Sequence, residues 1–114
     1  MSVDIRTTLE AATRASQIRQ SVIANNIANL DTPGYRRRVV AFEDLFAKAM
    51  AQGKVDPNEL QAQLLAPMDS PVDEKGNDVS MDQEMGDLVK TAAATKTYMK
   101  LLAKVYKQME AAIG

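Results

Sequence analysis

Residues 80–113 read SMDQEMGDLVKTAAATKTYMKLLAKVYKQMEAAI, and their spacing decides the fold. Met81, Met85, Leu88, Ala92, Thr95, Met99, Leu102, Tyr106, Met109 and Ile113 follow one another at alternating steps of four and three. Only an α-helix keeps such a row on one face. No Pro interrupts it, and its Gly, Gly86, falls off the row. Ser80 followed by Gln83 forms a capping box. Asp82, Glu84 and Asp87 come early and Lys90, Lys96, Lys100, Lys104 and Lys107 late, an order that suits the helix dipole. At 1.5 Å per residue the helix is about 50 Å long, too long to bury its row inside a compact ball of this chain. The pattern predicts a partner helix of similar length.

That partner lies at the other end of the sequence. Ile5, Leu9, Ala12, Ala15, Ile18, Val22, Ile23, Ile27 and Leu30 share one broad helical face, and neither Pro nor Gly occurs before Pro33. Asp4 is the candidate cap, so a second long helix is expected over residues 4–30. Ala11, Ala12, Ala15 and Ser16 let a neighbouring helix approach closely. The helix runs out in Ala24-Asn25-Asn26-Ile27-Ala28-Asn29-Leu30-Asp31, and Asn amides compete for backbone groups inside a helix. Asn29 suits a helix end, and Thr32-Pro33-Gly34-Tyr35 has the Pro and Gly placement of a type II turn. Two readings of Asn25 and Asn26 stay open: solvated side chains at a helix stop, or buried amides that fix register in a packed assembly.

The middle of the chain connects the two helices. Arg36, Arg37 and Arg38 are either solvated on an extended segment or engaged in a charged contact between subunits. Phe42–Gln52 predicts a short helix closed by Gly53. Asp56-Pro57-Asn58-Glu59 opens another, with Asp as cap and Pro in the first position. Pro67, Pro71, Gly76 and Asn77 mark an extended return over 66–79.

The run from Ala24 to Arg36 resembles the N-terminal signature of the bacterial flagellar rod and hook proteins. The Asp31-Thr32-Pro33-Gly34-Tyr35 ending is similar to that of the family's proximal rod proteins. So are Asn77 to Met85, Tyr98 to Leu102 and Ala111 to Ile113, in order and spacing. The sequence departs from the pattern at Leu30, where a small residue is common. Its middle is short for the family, and residues 35–43 have the flavour of a neighbouring axial protein. The resemblance implies a structural subunit of the proximal rod in the flagellar basal body. Its terminal helices would line a helical tube that transmits torque. It implies export through the flagellar apparatus without a cleavable signal peptide, assembly in the periplasm, and partners that are other copies of the chain and neighbouring rod proteins. Another axial rod protein remains open, and the heptads taken alone also fit a cytoplasmic coiled-coil adaptor or chaperone.

Composition narrows the function classes. The chain has 114 residues, a net charge of −1, and neither His nor Cys. Near-neutral charge argues against nucleic acid as a main partner, and nothing approaches the apolar length of a membrane span. Without imidazole or thiol there is no thiol chemistry, no His catalysis and almost no zinc chemistry. No phosphate loop or nucleophile motif occurs, and Glu43-Asp44 and Asp73-Glu74 read as solvated carboxylates. No enzyme activity and no cofactor or metal are expected. The expected architecture is all-α and elongated, a single domain with an N-terminal helix (1–32), a turn and connector with short helices (33–79) and a C-terminal heptad helix (80–114). Its expected packing residues are Ile5, Leu9, Ile18, Val22, Ile23, Asn25, Asn26, Ile27 and Asn29 with the Met81–Ile113 row. Thr32, Pro33, Gly34 and Tyr35 form the turn.

Overall fold

The computed structural model describes residues 4–113; Met1, Ser2, Val3 and Gly114, part of the terminal spans expected from sequence, lie outside the described residues. Four helices follow in order: α1 (Ile5–Ala28), α2 (Phe42–Gln52), α3 (Pro57–Gln63) and α4 (Met81–Ile113). The molecule measures 62 × 25 × 18 Å, and its long axis is the axis of the paired α1 and α4. The pair is antiparallel: Asn26 meets Glu84 at one end, and Ser16 meets Thr95 further along.

Several helix boundaries have a local cause. The Asp4 carboxylate accepts from the Thr7 amide at 2.7 Å and caps α1. Asp56 does the same for α3 through Asn58, with Pro57 in the first turn, where its missing N–H costs nothing. Gly53 ends α2 in the left-handed conformation, φ 73°, which side chains with a Cβ avoid. After α1 the Tyr35 amide donates to the Thr32 carbonyl across Pro33-Gly34, and Gly34 has φ 74°. This is the turn the sequence predicts, and its third position needs Gly.

The apolar core does not lie where the heptad row pointed. Ala15 and Val22 of α1 are buried with Val40 and Leu45, and Ile18, Phe42, Phe46, Val55, Leu60 and Leu64 pack around them. The connector thus supplies most of the large apolar side chains, on the flank of α1. An isolated antiparallel bridge between Val39 and Leu65 ties its two halves together. Phe42 stacks on Phe46 at 5.9 Å and on Tyr98 of α4 at 6.3 Å, so α2 touches both long helices.

The face that α4 turns to α1 is small and polar. Glu84, Thr91 and Thr95 are its buried residues. Thr95 Oγ1 lies 2.8 Å from Ser16 Oγ and 3.1 Å from Gln20 Oε1. Of the heptad row only Thr95 lies in this seam; Leu88, Ala92 and Leu102 are half-buried on its flank, whereas Met81, Met85, Met99, Tyr106, Met109 and Ile113 are exposed. Periodicity identifies residues that share a face; it does not say what covers that face.

Candidate functional site

The end of α1, the Pro33-Gly34 turn, residues 35–38, residues 73–80 and the first turns of α4 converge at one end of the molecule. At their centre is Asn26, 1% exposed. Its Nδ2 donates to the Arg38 carbonyl at 2.8 Å and to Glu84 Oε2 at 3.2 Å. Its Oδ1 accepts from the Arg38 amide at 2.9 Å and from the Tyr35 hydroxyl at 3.0 Å. Both amide hydrogens and both acceptor directions are therefore used, which is what a buried amide requires. With one side chain the helix binds the strand-like segment beyond the turn and the start of α4.

Beside Asn26 sits a buried ion pair. Arg37 Nε donates to Glu84 Oε1 at 2.7 Å, and Glu84 is fully buried. The Arg37 guanidinium also lies 3.7 Å from Asp87. Asp78, 3% exposed, accepts the Arg37 backbone amide at 2.6 Å, while its other oxygen has no hydrogen-bond partner and faces Arg36 at 3.6 Å. The Asn77 side chain donates to the Asn29 and Thr32 carbonyls at 2.9 and 2.8 Å, taking up groups that the end of α1 leaves free. Gly34 donates to the Lys75 carbonyl at 2.7 Å. Burial pushes the Tyr35 hydroxyl above its ordinary pKa, against the nearby Arg38 charge.

The sequence-predicted residues take different places. Asn25 is exposed, with one long contact of 3.4 Å to the Tyr35 hydroxyl. Asn29 closes α1 by donating to the Asn25 carbonyl and accepting from Thr32. Leu9, Val22 and Ile23 are buried, Ile18 and Ile27 half-buried, and Ile5 exposed; Thr32 and Pro33 face solvent. Sequence reasoning left Arg37 open between solvent and a neighbouring subunit; it is buried inside its own chain. It passed over Glu84, Asp78 and Asn77 as ordinary helix-start and loop residues. The available signal was Glu84 itself, an acid flanked by Met81, Met85 and Leu88.

Among the described residues no group of acidic side chains could hold a metal ion, and no helix is long and apolar enough to cross a membrane. Apart from the second Asp78 oxygen, which faces Arg36, the cluster pairs its buried polar groups within itself. Its chemistry is that of a joint.

The sequence pattern of a family described as Flagella basal body rod protein matches residues 5–36, which span α1, the turn and the start of the extended segment. The chain is 33% identical over 90 residues to the flagellar basal body rod protein FlgB of Bacillus subtilis, covering 70% of each chain. It is 28% identical over 109 residues to FlgB of Yersinia ruckeri, covering 80% of each. With FlgB of Borrelia hermsii it shares 29% over 115 residues, 84% of this chain and 85% of the relative. These similarities favour neither an adaptor nor an enzyme. The chain belongs to the flagellar basal-body rod protein family, on its FlgB side, and is a structural subunit of the rod.

Proposed function

We propose that the chain builds the proximal part of the rod by packing the α1/α4 pair into the wall of a helical tube. Other copies and neighbouring rod proteins cover the flank of α4. In this reading the flagellar export apparatus delivers the chain, which takes its place in the periplasm. Torque passes through it by stiffness alone, because close-packed interiors transmit strain without chemistry. The packing residues are the exposed row Met81, Met85, Met99, Tyr106, Met109 and Ile113, with Ile5 at the same end as Tyr106.

The observation that supports this reading is that row itself: these large apolar side chains are 40–87% exposed in the single chain. Large apolar side chains left exposed in number along one helix mark an interface. The test is a strain carrying Met99→Ser with Tyr106→Ser at normal export level. The expected result is secreted subunit, no completed rod and no swimming. Wild-type rods and swimming reject the reading.

A further inference from the structure

We infer that the buried Arg37–Glu84 pair, seated on Asn26, is the register lock of the α1/α4 pair. This goes beyond the rod assignment, because it concerns contacts within one chain.

Away from the Asn26 end the described seam buries no charge, and several of its positions distinguish poorly between registers. Consider α4 slid by four residues, so that each position is taken by the residue one turn later. Thr95 then replaces Thr91, Leu102 replaces Tyr98 beneath Phe42, and Tyr106 replaces Leu102. These exchanges are hydroxyl for hydroxyl or apolar for apolar, the consequence of a row that repeats every three to four residues, whereas Met99 in place of Thr95 gives up the contacts to Ser16 and Gln20 but strands no charge. The small side chains of α1, Ala12, Ala15 and Ser16, present a smooth face with no deep notch to oppose sliding.

The knot end behaves differently. The same slide puts Leu88 where Glu84 stood. The Arg37 guanidinium, only 7% exposed at its side chain, then loses the carboxylate at 2.7 Å, and Asn26 loses an acceptor at 3.2 Å. Neither group reaches water, so the slipped register contains an uncompensated buried charge. The segment carrying Arg37 cannot follow the slide, because the Arg38 backbone is bonded on both sides to Asn26 and the Asp78 carboxylate holds the Arg37 amide. The buried charge at one end thus sets the largest penalty against slippage in a helix pair about 40 Å long, and the Thr95 hydroxyl contacts add to it. Arg37 and Glu84 are positioning residues.

The chain has no native Cys, so spin labels can be placed without ambiguity. Labels at Ala28 and Glu110, both exposed and near opposite ends of the pair, report the axial offset of the two helices. Pulsed electron resonance on the full chain should give one distance. In the volume-matched Arg37→Met with Glu84→Leu variant, helix content by circular dichroism should stay unchanged. The distance should split or shorten by about 6 Å, one turn. An unshifted single distance at native helix content overturns the proposal, and so does a native chain already divided between two distances. If the double variant loses helix content, Glu84→Gln, which keeps the shape and one acceptor, decides. A split distance there supports the lock. A single native distance, or the same loss of helix, overturns it.

Discussion

The two ends of the α1/α4 pair are built on opposite plans. At the Asn26 end the chain closes on itself: a carboxylate, a guanidinium and two amides are buried and bonded to groups contributed by four separate segments. At the other end Met99, Tyr106, Met109 and Ile113 are exposed to solvent. Polar groups must find partners inside the chain if they are buried at all, because an unmet one costs free energy at once. Apolar side chains suffer a smaller, spread-out penalty for waiting and gain when a neighbour arrives. A subunit that must hold one shape and also leave a face open therefore concentrates its buried charges at one end, while its exposed apolar row runs from Met81 beside that joint to Ile113 at the far end.

The sharpest way to break this contrast is to remove one member of the ion pair. Glu84→Leu leaves Arg37 buried without its partner and should destabilise the isolated chain by about 3–5 kcal/mol, read from urea unfolding. Adding Arg37→Met should recover much of that loss, because the apolar pair leaves no charge behind. Equal stability of single and double variants would mean that Arg37 finds water, and the closed-end description fails.

Asn26→Ala comes next. Arg38, Tyr35 and Glu84 each lose a partner, at about 1–3 kcal/mol for each group left buried and unmet. Asn25→Ala, one residue earlier but exposed, should stay within about 0.5 kcal/mol. The pair of substitutions separates a buried joint from a simple helix stop, and similar unfolding midpoints for both would favour the stop.

A smaller effect is expected from alkaline pH. The folded-state pKa of Tyr35 is raised by burial, so the neutral hydroxyl is the form the fold prefers. Its contribution is fully present below the unfolded value of 10.0 and is lost as pH rises through the folded value. Tyr35→Phe should remove that part of the alkaline slope in a pH series of unfolding curves; an unchanged slope would place its origin elsewhere.

The smallest effect on the isolated chain belongs to the open end. Met109→Ser should change its stability by no more than about 0.5 kcal/mol, since the side chain is exposed, yet it should impair rod assembly in the cell. A clear loss of stability in the monomer would show that this end is finished by its own chain after all, and the contrast between the ends would disappear.

Sequence alone carried the features whose causes are local. The helix over 81–113 follows from a spacing, and the α1 cap from Asp4. The turn follows from Pro33-Gly34, the end of α2 from Gly53 and the start of α3 from Asp56-Pro57. Each depends on residues within about one turn of each other, where backbone sterics and capping operate. The signature from Ala24 to Arg36 also carried the family, because it is a contiguous string. Only the tertiary structure decided what lies across from each face. Asn26 and Glu84 are 58 residues apart, Arg37 and Asp78 are 41, and Ser16 and Thr95 are 79. No periodicity records which of three consecutive arginines turns inward, or that α1 would meet a threonine seam and not the methionine row beside it. Those choices follow from burial and pairing summed over the whole fold: an arginine is buried only where a carboxylate from elsewhere in the chain can reach it.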